Sequence, residues 1–364
     1  MNLPKVTIIT VCYNREKTIE QTIRSVISQT YNNIEYIIVD GGSKDHTLDI
    51  VKKYEANIYL ISEADDGIYH AMNKGIMKSS GEIIGIINSD DWYENNAVEL
   101  AVEYLNREDC DLAYGRCTSV YDNGIMAENG GDKIEDLRYK SVIWHPTVFV
   151  KKAIYEKYGI FNQHYSILAD QDLMLRFYEC GVKMVAIPQN IAFYRMSGVS
   201  NIKYKEGIEE LRKILLAHWD GESEDIREKI EKSIEESLAY AEIQKNMNKV
   251  NQDLGNTISK MFYKENDYVI FGVGDYGVKC LQVFSNNGCS IESFVDNDSI
   301  KWSSMCGNIE IKSPEYLRIN RKNVIVANIH YKEEILKQLE GMGYQYGVDC
   351  IFMEDILRKM SDML

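Results

Sequence analysis

Short, nearly unbroken apolar runs recur through the first ninety residues, at 6–11, 36–39, 58–61 and 83–87, and amphipathic stretches separate them. A strand with one wet face alternates polar and apolar residues. Runs like these suit strands buried on both faces of a parallel sheet. Between the first two, Ile19, Ile23, Val26 and Ile27 repeat at helical spacing, and Ile50 and Val51 lie in the next such stretch. Strand, helix, strand, helix predicts an open α/β sheet with crossover helices. The pattern loosens between about 120 and 200, where 147–150 and 182–187 read as strands and 170–180 as a helix.

The rest of the chain changes character twice. Its 364 residues allow two or three domains at about 150 residues each. From 203 to 263 proline vanishes, Glu and Lys dominate, and Ile230, Ile234, Leu238 and Ala241 recur every three or four residues; Met247, Val250, Leu254, Ile258 and Met261 continue the seam. A helical connector is expected, divided at Asp220-Gly221-Glu222-Ser223. It either packs on the flanking domains and joins them or forms a coiled-coil seam for a homodimer. A second α/β unit starts at Tyr268. The expected domains are therefore 1–202, 203–263 and 264–364.

Charge and cysteine usage narrow the classes of function. Lys and Arg number 41 against 56 Asp and Glu, for a net charge of −15, which disfavours a duplex nucleic-acid binder. Eight cysteines are scattered without a Cys-x-x-Cys pair, so neither a zinc ribbon nor a disulfide framework is expected. The first residues run into a strand-like segment without a signal-peptide layout, and no apolar stretch approaches about 18 residues. The expectation is a cytoplasmic, reduced chain.

The chemistry-bearing residues gather at strand ends, where open parallel sheets bind ligands. The first run ends Thr10-Val11-Cys12-Tyr13-Asn14-Arg15 and the second Val39-Asp40-Gly41-Gly42-Ser43-Lys44-Asp45. Asp40 suits a base or ribose contact; the alternative is that it only caps the next helix. The fourth run ends Asn88-Ser89-Asp90-Asp91. Adjacent carboxylates repel unless a cation or donors hold them, and Mg²⁺ or Mn²⁺ takes one or two carboxylates plus phosphate and water.

These motifs resemble, in order, those of a family-2 glycosyltransferase of the GT-A fold. Cys12-Tyr13-Asn14, Ser25-Val26-Ile27-Ser28-Gln29-Thr30 and Asp40-Gly41-Gly42-Ser43-Lys44-Asp45-His46-Thr47 match. The segment from Ser62 to Gly75 resembles the subgroup that builds bacterial O-antigen and capsule repeats. The resemblance covers just over half the chain. It implies that Val11, Tyr13, Asp40, Asp90 and Arg195 hold the nucleotide sugar and that Asp91 ligates Mg²⁺ or Mn²⁺. Asn73 and Lys74 face the donor sugar or diphosphate, unless they serve only helix capping and solvation. Ala169-Asp170-Gln171-Asp172-Leu173 resembles the family's Glu-Asp element, with Asp170 as general base, Asp172 as the competitor, and Ala169 where the family has Glu. Trp144-His145-Pro146 resembles a segment on the acceptor side, where His145 is either a contact or structural. Met196 stands where some relatives carry a metal-touching His.

In the last unit Gly272-x-Gly274-x-x-Gly277 follows a strand and opens a helix, with Asp296 nineteen residues beyond Gly277. That context suits dinucleotide binding. It also resembles small Rossmann-like modules that keep the glycines only as turn chemistry, and a structural or regulatory module is preferred. The resemblance implies metal-dependent, inverting transfer from a nucleotide sugar, of UDP-hexose type, to an O-antigen or capsule-type glycan. That acceptor is expected to be lipid-diphosphate-linked, with the enzyme peripheral at the inner membrane face. The alternatives are a catalytically decayed nucleotide-sugar-binding regulator and a fusion with an NAD-dependent sugar-modifying module.

Overall fold

The computed structural model describes residues 3–121, 124, 126–131, 133–196, 198, 203–218, 221, 224–247, 268–286, 288–328 and 331–361. Val250, Leu254, Ile258 and Met261 of the expected seam lie outside the described residues, as do Asp220, Glu222, Ser223, Ser197, Val199 and Ser200. The chain forms two compact units, Met1–Val120 with Gly130–Glu231, and Tyr121–Asn129 with Lys232–Leu364.

In the first unit β1 (Val6–Cys12), β2 (Ile34–Asp40), β3 (Tyr59–Ser62) and β4 (Ile83–Asn88) alternate with α1 (Ile19–Ile27), α2 (Thr47–Lys52) and α3 (Ile68–Lys78). β1 lies between β2 and β4, and all of these pairings are parallel. Their apolar runs are buried on both sides, as Ile8, Ile9, Ile37, Ile38, Ile84 and Ile87 show. Beyond them come β5 (Trp92–Tyr93), α4 (Ala97–Arg107) and β6 (Leu112–Val120), then β8 (Phe149–Lys151), α5 (Lys152–Tyr158), α6 (Ala169–Glu179) and β9 (Met184–Arg195). The path through this sheet is β3-β2-β1-β4-β8-β6-β9-β5, with β8 antiparallel to β4 and β6, and β9 parallel to β6. The irregular composition between 120 and 200 thus reflects a switch from parallel to mixed pairing. β9 is twelve residues long, well beyond the expected 182–187.

Helix α7 (Tyr204–His218) also belongs to the first unit and packs on α6. It was expected in a connector beginning at 203. Its apolar face, Ile208, Leu211, Ile214 and Leu215, is buried. α8 (Glu224–Met247) follows, and the division between the units falls inside it, after Glu231.

The second unit is a sheet of order β12-β13-β11-β10-β14-β15, comprising β10 (Tyr268–Phe271), β11 (Ile291–Val295), β12 (Met305–Cys306), β13 (Ile309–Lys312), β14 (Asn323–Val326) and β15 (Cys350–Phe352). It is parallel except for the β12–β13 hairpin. Helices α9 (Asp275–Asn286), α10 (Glu315–Ile319), α11 (Lys332–Gly341) and α12 (Met353–Ser361) connect or follow its strands. The short strand β7 (Met126–Asn129) also belongs to this unit.

Candidate active site

The loops that leave β1 and β2 are cross-tied. Asn14 N donates to Ser43 Oγ at 2.8 Å, Lys44 N to Asn14 Oδ1 at 2.9 Å, and Arg15 N to Thr47 Oγ1 at 2.7 Å. Asp45 accepts from Glu16 N and Thr47 N; these bonds outweigh its desolvation and hold its carboxyl below the usual range. Asn14 takes φ of 52°, a left-handed conformation that asparagine tolerates. Tyr13 is left half exposed beside this frame. Val11 is buried in β1. Asp40 is buried too, and its carboxylate accepts from Gly42 N, Ser43 N and Ser62 Oγ at 2.8–3.1 Å. It fixes the loop from within.

At the end of β4 the two carboxylates differ. Asp90 is partly exposed, with Arg15 Nε 3.8 Å from its Oδ2 and Arg195 Nε donating to its backbone oxygen at 3.2 Å. Asp91 is buried. Its Oδ1 accepts from Arg195 N at 2.9 Å, while its Oδ2 has no hydrogen-bond partner, and neither does the buried Asn88 Oδ1. Burial first, and the Asp90 charge second, push the Asp91 carboxyl well above the usual range. Two orphaned acceptors in one turn, next to a second carboxylate, are the arrangement a hard divalent cation relieves. The residues fit Mg²⁺ or Mn²⁺. Among the described residues no group of three or more His, Cys, Asp or Glu that could hold a metal ion assembles.

The antiparallel pairing of β5 with β9 makes this site, because it sets Trp92 opposite Phe193 and brings Arg195 alongside Asp91. The Arg195 guanidinium lies over Trp92, 5.1 Å from the ring centroid, and donates to Gln21 Oε1 at 2.9 Å.

A second cluster surrounds Asp170 in the first turn of α6. Tyr69, in the first turn of α3, donates to Ile167 O at 2.6 Å and approaches Asp170 Oδ1 at 3.2 Å. Helix α3 follows β3, so this contact sets Asp170 at the carboxyl edge of the parallel strands. Burial, then the Asp170 charge, pushes the Tyr69 hydroxyl well above its usual range. His145 packs on Phe161 with centroids 5.9 Å apart; burial lowers its pKa despite the opposing pull of Asp170. His145 therefore sits near Asp170, against Phe161.

Other candidates are held differently. The buried Asn73 amide bridges Phe161, donating to its oxygen at 2.9 Å and accepting from its nitrogen at 3.0 Å. Both ends serve the loop before α6 rather than a sugar. Lys74 donates to Ala64 O at 3.0 Å and pairs with Glu63 at 2.9 Å. Asp172 is not brought together with Asp170 and His145. It is buried, with Arg176 Nη2 at 2.7 Å on one oxygen and His218 Nε2 at 3.1 Å on the other.

In the second unit Gly272 has φ of 107°, and a Cβ on Gly277 would lie 1.9 Å from Gly272 O. Both glycines are required by this turn. Yet Val273 N, inside the loop, donates to Asp296 Oδ2 at 3.0 Å, and Lys301 Nζ lies 3.7 Å from that oxygen. The loop amide already holds an anion of its own. A Cβ on Gly274, just before α9, would lie 3.7 Å from Asn129 Oδ1.

The profile of the family described as "Glycosyl transferase family 2" matches residues 7–149. An uncharacterized glycosyltransferase of Mycobacterium tuberculosis is 30% identical over 185 residues, covering 48% of this chain and 68% of the relative. The PGL/p-HBAD biosynthesis glycosyltransferase of Mycobacterium bovis is 29% identical over 182 residues, covering 48% and 70%. The crystal structure of S. aureus TarS 1-349 in complex with UDP-GlcNAc aligns at a TM-score of 0.51 and 18% identity, covering 65% of this chain and 72% of that one. That likeness bears on the fold alone, and the fold is the GT-A type that the motifs imply. The chain belongs to glycosyl transferase family 2, and it is an enzyme of glycosyl transfer.

Proposed function

We propose that the protein transfers a hexose from a UDP-sugar, with inversion, to a hydroxyl of a surface-glycan acceptor of O-antigen or capsule type. One observation carries the donor half: the buried Asp91 oxygen without a partner, next to Asp90, with Arg15 near the Asp90 carboxylate and Arg195 N on the other Asp91 oxygen. Asp91 would hold Mg²⁺ or Mn²⁺, which would act as a Lewis acid toward the departing diphosphate. Tyr13 and Asp40 border the base, Asp90 the ribose, and Arg195 and Arg15 supply positive charge to the diphosphate.

Asp170 takes the acceptor proton as its oxygen attacks the anomeric carbon from the face opposite the leaving group. A single displacement inverts that carbon, so an α-linked donor yields a β-linked product. His145 lines the acceptor side. Cytoplasmic action on a lipid-diphosphate-linked acceptor fits this reading; among the described residues no helix is long and apolar enough to cross a membrane.

The test is a panel of UDP- and GDP-sugars scored for Mn²⁺-dependent protection against unfolding and for nucleoside diphosphate release. A UDP-hexose that protects and is turned over supports the reading. Protection without release favours a nucleotide-sugar-binding regulator.

A further inference from the structure

Helix α6, which carries Asp170, starts without a cap of its own. Its N-cap is Leu168, whose side chain offers no cap, and the backbone amides of 166–168 that lead up to it take an acceptor from outside the segment. They find one more than forty residues along the chain. Glu210, in the second turn of α7, takes Ile167 N and Leu168 N on Oε1, both at 2.7 Å, and Ser166 N on Oε2 at 2.9 Å, with Ser166 Oγ at 3.3 Å. Three successive N–H groups converge on one carboxylate, an anion nest filled from within the protein. From the other side Tyr69 Oη holds Ile167 O and touches Asp170 Oδ1.

The geometry points to Glu210 as the residue that positions the general base, clamping 166–168 against Tyr69 so that Asp170 presents its carboxylate to the acceptor. This rests on the reading of Asp170 as the base. Asp170 lies two residues beyond the last clamped amide, so a shift of that turn is transmitted to it directly. Glu210 lies outside the stretch matched by the family profile, which ends at residue 149. It is a positioning residue, and a misplacement of about 1 Å in such a group is worth roughly 10²-fold in rate.

The test compares the full-length protein with Glu210→Ala, Glu210→Gln, Asp170→Asn and the Asp170→Asn/Glu210→Ala pair. Hydrogen exchange of peptide 164–171 reads the clamp. UDP release from an equal mixture of UDP-glucose, UDP-galactose and UDP-N-acetylglucosamine with Mn²⁺ reads turnover. Glu210→Ala should expose the 166–168 amides and lower turnover about 10²-fold with donor affinity unchanged. Glu210→Gln, which keeps an acceptor oxygen, should fall between, and it serves alone if the alanine variant does not fold. The pair should be no slower than Asp170→Asn, because Glu210 acts through Asp170. Unchanged exchange in the Glu210 variants, wild-type turnover in them, or losses that multiply in the pair would each overturn the inference. Failure of the underlying reading looks different: Asp170→Asn then turns over at the wild-type rate, or the wild type releases no UDP, whatever the exchange arm shows.

Discussion

Asp170 and Asp172 sit one residue apart on α6, and their substitution by Asn should separate rate from stability. Their side chains point about 200° apart on a helix, so one chemistry cannot use both. Asp170→Asn removes the base and should lower turnover by about 10²–10⁴, on the order of 3–5 kcal/mol of barrier. It should leave donor affinity and unfolding nearly unchanged, since among the described residues its carboxylate is held by the 3.2 Å approach of Tyr69 Oη. Asp172→Asn does the reverse. Its carboxylate accepts from Arg176 at 2.7 Å and His218 at 3.1 Å, and these bonds outweigh its desolvation and hold its carboxyl below the usual range. A charge-assisted bond contributes about 1.5–3 kcal/mol, and an amide can still accept one neutral bond, so the net loss is about 2–4 kcal/mol. In a unit of this size that lowers Tm by roughly 10 °C. The assay pairs thermal unfolding with UDP release at saturating donor, below the transition of both variants. If Asp172→Asn is the slower enzyme at equal folded fraction, the assignment of the base is wrong.

Three further outcomes follow from the same structure. Asp91→Asn should abolish the protection that Mn²⁺ and a UDP-sugar give together while leaving the protein folded; full turnover in excess chelator would sink the metal role. Asn73→Ala leaves the buried Phe161 N–H and C=O unpaired and should destabilise by about 2–4 kcal/mol in denaturant unfolding, with turnover per folded molecule retained. Millimolar NAD or NADH should not shift unfolding, because Asp296 already occupies the amide of the glycine loop; a saturable shift would refute that account.

The parallel half of the first sheet was legible because strands buried on both faces must be apolar throughout, and β1, β2 and β4 are. The loop motifs at their ends were legible because chemistry concentrates there. Strand β6 was not read at all: Gly115 and Arg116 interrupt its apolar run, and its partners β8 and β9 lie about forty and seventy residues downstream. Arg195 was placed near the donor by resemblance, but its hold on Asp91 depends on the pairing of β5 with β9, which no local pattern encodes. Tyr69 lay inside a recognised segment without a role, because only the fold brings Asp170 to it. Glu210 and His218 carry no local signal for the same reason. Each is an ordinary residue on the polar side of a helix until its partner arrives from more than thirty residues away.

His218 turns that second contact between α7 and α6 into a pH dependence. Its Nε2 lies 3.1 Å from Asp172 Oδ1 and its Nδ1 2.9 Å from Glu179 Oε2, with Arg176 on the other oxygen of Asp172. Both ring nitrogens face carboxylates, and only the imidazolium can donate from both. Burial lowers the pKa of His218, but the bonds to Asp172 and Glu179 outweigh it, and the net shift is upward. A raised folded-state pKa means that the contribution is complete below the unfolded value of about 6.5 and is lost as pH rises through the folded value. Asp172 sets the acid limit: its pKa is depressed, so its contribution is complete above about 3.9 and is lost as pH falls through the folded value. The contact is therefore strongest between about pH 4 and 6.5. Wild type and His218→Gln should differ by about 2 kcal/mol in unfolding free energy at pH 6, and the gap should narrow steadily toward pH 9. Urea titrations at half-unit pH steps read this directly. A gap that stays constant from pH 6 to 9 would show that His218 holds α6 as a neutral ring, through one carboxylate alone.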